Sequence, residues 1–373
     1  DGFYHALSYK KSILVSPTAS GKSLIIYLIV RALNVKTLII VPTTSLVSQL
    51  YADFQEYGWD SAKFCHQVYA GQDKVSDKKV VISTWQSIYK LGRKLFEPYK
   101  LVIGDEAHGF KSKSLTAIMT KCVNAEYRIG TTGTLDGTQT HKLVLEGLFG
   151  KIYKVTTTKK LIDRKQLASF RIDIIVLKYP DDVCHQFRKI KYADELEYIV
   201  THEKRNKYIR NLVLSLDGNT LLLFRLVKKH GRILYEMIKE ETDDNRKTFF
   251  VYGGTETDTR EQIRTIAESE SDAIIVASYG VFSTGINIRN LHNIVFASPS
   301  KSRIRNLQSI GRGLRRSETK EAATLYDISD DLSYKGKKNY TLNHFMERVK
   351  IYTSEHFPYH IYTIPIQTVT DSL

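Results

Sequence analysis

Handling a phosphate chain takes backbone and ammonium donors to hold its oxygens, acids to organise a metal ion and a water, and further cations for the charge that builds in the transition state. This chain of 373 residues carries all three kinds of group. Ser16-Pro17-Thr18-Ala19-Ser20-Gly21-Lys22-Ser23 follows the short apolar run Ser12 to Val15 and precedes Leu24 to Leu33, whose apolar positions have helical period. A small-residue turn between strand and helix aims its N–H groups at phosphates, Lys22 adds charge near the outer ones, and the Ser23 hydroxyl suits Mg²⁺. Pro17, Thr18, Ala19, Ser20, Gly21, Lys22 and Ser23 are therefore candidate ATP ligands, although Ser16 stands where the phosphate-loop pattern has glycine.

Asp105-Glu106-Ala107-His108 comes directly after the apolar run Leu101 to Gly104, at the carboxyl end of an expected buried strand, where ligands bind in open α/β sheets. Asp105 is expected to share the Mg²⁺ with Ser23, and Glu106 to orient and deprotonate the attacking water. Far downstream, Gln308-Ser309-Ile310-Gly311-Arg312-Gly313-Leu314-Arg315-Arg316 would bring Gln308, Arg312 and Arg315 to one helical face. Guanidinium groups there suit either the γ-phosphate in the transition state or the phosphates of a nucleic acid. Arg312 and Arg315 are assigned to ATP with Gln308 beside them, and Arg316 is left open.

These residues need a scaffold, and the chain supplies strand-like runs in two sets. Ile13 to Val15, Leu38 to Val41, Val80 to Ser83 and Leu101 to Gly104 alternate with helical segments, the pattern of βαβ units on a parallel sheet. Thr220 to Phe224, Thr248 to Tyr252, Ala273 to Ala277, Asn293 to Ala297 and Ala323 to Tyr326 form a second such series. Between them lies a basic, polar stretch with the turn signal Tyr179-Pro180-Asp181-Asp182. The expected organisation is a first α/β domain over 1–155, a connection and the start of the next domain over 156–205, and a second domain over 206–373. Asp1 opens inside an amphipathic segment, with Phe3 and Leu7 at helical spacing, so an upstream part is expected to be absent.

In order and spacing, the phosphate loop, the Asp-Glu-Ala-His box and the Gln-Ser-Ile-Gly-Arg-Gly-Leu-Arg-Arg element resemble motifs I, II and VI of superfamily 2 helicases. Ile40 to Gln49, Ser83 to Ser87, Thr132-Gly133-Thr134, Leu221 to Phe224 and Ala277 to Asn287 are similar to the motifs between them. The wording of Val251 to Arg260 and of Ala277 to Asn287 is similar to that of the UvsW-type recombination and repair helicases of T-even bacteriophages. The resemblance implies two tandem RecA-like domains with mainly parallel sheets and ATP in the cleft between them. It also implies ATP-driven action on branched DNA (forks, Holliday junctions and R-loops), with annealing as a second activity. Nucleic acid would meet Pro42, Thr43, Thr44, Thr84, Gln86, Ser283 and Thr284; Gly285 would serve the nucleotide; His108, Thr132 and Thr134 would couple the two. Thr132-Gly133-Thr134 also reads as an ordinary turn. The family's adenine-reading aromatic and glutamine, and its small amino-terminal domain, would fall before Asp1. Ala107 stands where relatives carry cysteine, a small residue either way.

Composition agrees with a nucleic-acid partner. Lys and Arg number 55 against 40 Asp and Glu, a net charge of +15 with a pI near 9.4, which favours a polyanion. Cys65, Cys122 and Cys184 stand far apart, supporting neither a zinc site nor a disulfide framework and fitting a reducing compartment. No apolar run is long enough to span a bilayer and no secretory pattern opens the chain, so the cytoplasm is expected, that of the bacterial host if the chain is phage-encoded. Lys151 to Lys165, Lys228 to Arg232 and Lys335 to Lys338 offer further phosphate contacts, the last flanked by Tyr334 and Tyr340, which could stack on exposed bases. Three alternatives stay open on residues alone: an RNA helicase of the same superfamily, an ATP-switched binding module, and a restriction translocase whose nuclease is supplied by a partner.

Overall fold

The computed structural model describes the chain apart from residues 18–19, 70–72, 136–138, 244, 285–287, 289, 299–301, 303–310, 312–321 and 371–373, and apart from the side chains of 111, 139, 141, 257 and 282–284. It divides into two compact units, Asp1–Thr157 and Thr158–Leu373. Each is built on a sheet of seven strands whose pairings among the described residues are all parallel. The expectation of two α/β units on parallel sheets is met.

In the first unit the strands are β1 (Lys11–Val15), β2 (Thr37–Val41), β3 (Cys65–Val68), β4 (Val80–Thr84), β5 (Leu101–Asp105), β6 (Tyr127–Thr132) and β7 (Lys151–Lys154), in the order β3-β4-β2-β5-β6-β1-β7. Helices cover both faces, so the central strands are apolar on both sides. Leu14, Ile39, Val41, Ile82 and Ile103 pack against Ile26, Ile29 and Val30 of the helix Lys22–Leu33 and Val47, Leu50 and Phe54 of the helix Thr44–Glu56. Their neighbours Ile13, Leu38, Ile40, Val81 and Val102 point the other way, against Ile118 and Met119 of the helix Lys113–Lys121 and Leu145 and Phe149 of the helix Gln139–Phe149. Because every strand runs the same way, the loops after β1, β2, β4, β5 and β6 leave from one edge. Gly104, next to last in β5, lets Phe110 and Phe149 meet edge to face across it, with ring centroids 5.1 Å apart. A Cβ there would lie 2.7 Å from both rings.

The second unit holds β8 (Ser169–Lys178), β9 (Thr220–Phe224), β10 (Thr248–Val251), β11 (Ile274–Ser278), β12 (Asn293–Phe296), β13 (Ala322–Asp331) and β14 (Tyr359–Pro365), ordered β10-β11-β9-β12-β13-β8-β14. β8 and β13 pair over ten residues each, and both end in buried polar networks. Arg205 is fully buried and grips Asp330 with two nitrogens, at 2.7 and 3.0 Å, while Tyr179 donates to the same carboxylate at 3.1 Å. Arg348 grips Asp327 likewise at 2.8 Å through Nε and through Nη2, with the Tyr352 hydroxyl donating at 2.7 Å. Unpairing either charge would be costly at these depths, about 3–5 kcal/mol, so the pairs hold the strand ends in register.

Candidate active site

The turn after β1 begins with the Ser16 N–H donating to the carbonyl of Thr132, at the end of the neighbouring β6, at 3.0 Å. Ser16 and Ser20 hydroxyls bond each other at 2.6 Å and Ser20 also donates to the Pro17 carbonyl at 2.6 Å, which closes the turn across its base. Gly21 then takes φ 80°, in the left-handed region glycine enters without strain, and caps the helix that starts at Lys22. The serine at position 16 thus replaces the pattern's glycine with a side chain that bonds within the loop. Thr18 and Ala19 lie outside the described residues.

Lys22 reaches from this helix to within 4.0 Å of the Glu106 carboxylate, both side chains being largely buried. Glu106 itself has φ 51° and ψ 51°, a left-handed conformation that costs a non-glycine residue about 1–2 kcal/mol and turns its side chain toward the phosphate loop. His108 Nδ1 is 3.3 Å from the other Glu106 oxygen and 3.1 Å from Thr132 Oγ1, and that hydroxyl donates to the Thr134 carbonyl at 2.8 Å. Glu106, His108, Thr132 and Thr134 therefore form one chain of polar contacts along the carboxyl edge of the sheet.

Asp105 is buried at the tip of β5. Burial first, and the neighbouring Glu106 second, push its carboxyl above the ordinary carboxylate range, against the pull of Lys22 and of two hydrogen bonds. Those bonds come from the Thr131 hydroxyl at 2.7 Å and the Glu106 N–H at 2.9 Å, and both end on Oδ1. Both bonds leave Oδ2 to face the site, with Lys22 as the nearby positive charge. That environment fits a hard cation with oxygen ligands. Ser23 bonds the Tyr57 hydroxyl at 2.9 Å, and a serine that donates there keeps its lone pairs for the same ion.

The residues expected to meet nucleic acid in this unit sit in two neighbouring loops. Thr43 caps the helix Thr44–Glu56 by accepting from the Leu46 N–H at 3.4 Å, Thr44 is exposed, and Pro42 accepts from Gln86 Nε2 at 3.3 Å, which ties the loop after β2 to the one after β4. The Thr84 side chain is buried, its hydroxyl on Ser87 at 2.8 Å. In the second unit Ser283 and Thr284 end the helix Tyr279–Thr284 after β11, and nothing is described of their side chains. Gly285, Gln308, Arg312 and Arg315 lie outside the described residues, as does Arg316.

Thr131 and Tyr57 lie outside the motifs, and Ser16 stands in one without an assigned role. Thr131 matters through register, since it pairs with Asp105 across the ladder. Ser16 and Tyr57 act by bonding Ser20 and Ser23, and neither residue type announces that in a linear sequence.

Comparison with known proteins gives the chain its family. A family model described as Type III restriction enzyme, res subunit, matches residues 7–137, and one described as Helicase conserved C-terminal domain matches 203–317. The chain is 36% identical to the ATP-dependent DNA helicase uvsW of Enterobacteria phage T4, over 98% of this chain and 76% of that protein. It is 26% identical to the DNA 3'-5' translocase XPB2 of Sulfurisphaera tokodaii, over 90% of this chain and 81% of that one. Among solved structures, a fragment of a putative HsdR subunit of a type I restriction enzyme from Vibrio vulnificus YJ016 covers 98% of this chain and 68% of its own with a TM-score of 0.70 at 16% identity, a likeness of fold. No helix among the described residues is long and apolar enough to cross a membrane. With a phosphate loop and an acid box joined through one strand, and with this kinship along its length, the chain belongs to the superfamily 2 helicases, ATP-hydrolysing enzymes of two RecA-like units, and within them to the relatives of uvsW.

Proposed function

We propose that this chain is the motor of an ATP- and Mg²⁺-dependent DNA helicase that remodels branched DNA, namely forks, Holliday junctions and R-loops, in recombination, replication and repair in the bacterial cytoplasm. The observation that carries this reading is the cluster of Lys22, Glu106 and His108 at the end of a sheet whose next loops offer Thr43, Thr44 and Gln86.

In the resting chain Lys22 and Glu106 neutralise each other. An arriving γ-phosphate draws the Lys22 ammonium to itself, and Glu106 is left as a free base beside the place where water attacks. Asp105 and Ser23 would hold Mg²⁺, which when bound supplies charge neutralisation for the phosphates. His108 orients Glu106 from the far side and passes its position on to Thr132. Arg312 and Arg315 are assigned the charge that develops on the transferred phosphoryl group, with Gln308 beside them. Pro42, Thr43, Thr44, Thr84, Gln86, Ser283 and Thr284 are assigned to the strand, mostly through backbone and hydroxyl donors that read no sequence.

The test is unwinding of forks, four-way junctions and RNA–DNA hybrids, with ATP and with a non-hydrolysable analogue, by the whole chain and by Lys22→Ala. Expected are ATP-dependent unwinding by the wild type, strongest on branched DNA, and loss of ATPase activity in Lys22→Ala with DNA binding retained. Equal stimulation by RNA would replace DNA as the substrate. Hydrolysis that DNA leaves at background would reduce the chain to an ATP-switched binder.

A further inference from the structure

The second unit contains a cavity of about 410 Å³ that uses none of the motor residues. It opens beside the carboxyl ends of β8 and β13, between the segments that follow those two strands, at the sheet edge where parallel α/β folds bind ligands. Arg188 and Lys189 come from the first segment, Lys337, Lys338 and Tyr340 from the second, and Phe187 adds an apolar wall.

The charge there is not cancelled locally. Glu195 is the acid in the lining, one negative charge against the four cations, and its carboxylate is occupied by neutral donors. It accepts from the N–H groups of Tyr340 and Thr341, at 3.0 and 2.7 Å, and from Asn339 Nδ2 at 3.0 Å, closing the amino end of the helix Tyr340–Ser354. Lys337 donates to the Arg188 carbonyl at 3.0 Å, which joins the two segments while leaving its positive charge unopposed. Among the described residues none of Arg188, Lys189, Lys337 and Lys338 is paired with a carboxylate.

Sequence alone offers Tyr334 and Tyr340 equally as platforms for bases, and the structure separates them. Tyr334 is partly buried against the core, with His185 at 5.0 Å between centroids and the Lys335 ammonium 5.5 Å above its ring. Tyr340 stands at the rim of the cavity, 49% exposed, held by a perpendicular contact with Tyr192 at 6.0 Å.

The geometry points to a second nucleic-acid site: the cavity takes a segment of single-stranded DNA, with phosphates on Arg188, Lys189 and Lys338 and one unstacked base against Tyr340 and Phe187. This deepens the DNA-helicase reading and rests on it. A duplex keeps its bases stacked inside and offers a recess only phosphates, so the aromatic rim and apolar wall select a single strand. A cavity of about 590 Å³ on the neighbouring residues has a mixed lining, Asp181 and Asp182 with His185 and Lys335, and suits phosphate less than the basic side does.

The experiment is binding of a fluorescein-labelled oligo(dT) to the whole chain without nucleotide, across a salt series. Lys189→Ala/Lys338→Ala removes two phosphate contacts. Its slope of log affinity against log salt should fall by about 1.4, with binding about tenfold weaker at low salt. Tyr340→Ala should weaken binding about tenfold, whereas Tyr340→Phe keeps the ring and should bind like the wild type. Lys338→Arg restored in the double variant should recover half of the lost slope. Wild-type affinity and slope in both alanine variants, with the wild type binding oligo(dT), would overturn the site and leave the helicase reading standing. Displacement by dTMP at equal phosphate concentration would reassign the cavity to a free nucleotide and overturn the strand. A wild-type chain that neither binds DNA nor is stimulated by it would sink both readings.

Discussion

Replacing Asp105 by asparagine should make the first unit more stable and catalytically dead. Asp105 is 8% exposed as a residue, and burial and Glu106 together raise its pKa. A carboxyl that holds its proton more tightly in the folded chain than in the unfolded one penalises folding once it ionises. The penalty is absent below the unfolded pKa near 3.8, grows as pH rises toward the folded value, and is complete above it. Asparagine has the same shape and still accepts from the Thr131 hydroxyl and the Glu106 N–H through Oδ1, so both hydrogen bonds persist while the charge disappears. A gain of about 1–2 kcal/mol at pH 7.5 is expected, in the range of substitutions that relieve a functional strain. For a unit of this size that raises the unfolding midpoint by about 2–8 °C. Trp59 and Trp85, the two tryptophans of the chain, both lie in this unit, so urea unfolding followed by tryptophan fluorescence reports it selectively. The gap between variant and wild type should close as pH falls to about 4. Saturating Mg²⁺ and ATP should reverse the order, adding about 2.7 kcal/mol to the wild type at a hundredfold excess over Kd and little to the variant. ATPase activity should fall by at least ~10²-fold. A variant less stable than the wild type at neutral pH, or a gap that widens on acidification, would refute the claim that ionising Asp105 costs the fold stability.

Two further perturbations probe the scaffold. Gly104→Ala places a Cβ 2.7 Å from both Phe110 and Phe149, and overpacking of this kind should cost about 1–3 kcal/mol. Since Asp105 is the next residue, ATPase activity should fall with stability, and an active, fully stable variant would show that the two rings yield freely. In the second unit His230 is fully buried with Nδ1 on the Ser298 hydroxyl at 3.0 Å, and burial, with Arg205 nearby, holds it well below the ordinary histidine range. The unfolded chain then binds a proton that the folded one refuses, so stability should fall as pH drops below about 6.5, by up to about 1.4 kcal/mol per pH unit. His202 contributes in the same sense. His230→Gln should flatten that slope by one proton in urea titrations read by circular dichroism; an unchanged slope would mean that His230 protonates without unfolding.

The chemistry was more legible in the sequence than the scaffold, for a physical reason. Lys22, Asp105 and Glu106 need neighbours of fixed type at fixed spacing, and central strands such as β2, β4, β5, β9 and β11 are covered on both faces and so read as unbroken apolar runs. β3, β7 and β14 lie at sheet edges and keep polar residues outward, as in Cys65-His66-Gln67-Val68 and Lys151-Ile152-Tyr153-Lys154, which leaves too little apolar signal to mark a strand. β8 was hidden for another reason. Arg171 and Asp173 interrupt its start, and the ladders to β13 and β14 on either side hold them in the strand, where their side chains pair at 3.0 Å. The buried partners Arg205–Asp330 and Arg348–Asp327 are equally unreadable in advance, since each charge looks like a solvated surface residue until a distant strand end is brought to it.

β6 explains why motifs that are far apart in the chain make one site. In the sheet it runs between β1 and β5, with Thr131 opposite Asp105 on one side and Thr132 opposite Val15 on the other. Two consecutive threonines thereby fasten the acid loop and the phosphate loop to the same strand: the Thr131 hydroxyl holds Asp105, the Thr132 carbonyl holds the Ser16 N–H, and the Thr132 hydroxyl meets His108. The backbones that carry Lys22 and Glu106 cannot drift apart without breaking that ladder, so the spacing of the two loops is set when the sheet folds, and only side chains are left to answer a nucleotide. What stays free to respond is the polar chain Glu106, His108, Thr132, Thr134, which leads out of the site along the end of β6. On the proposed mechanism, loss of the γ-phosphate would return Lys22 to Glu106 and change the charge that His108 faces. On that mechanism the change would reach Thr134 through contacts of 3.3, 3.1 and 2.8 Å while the sheet stays rigid.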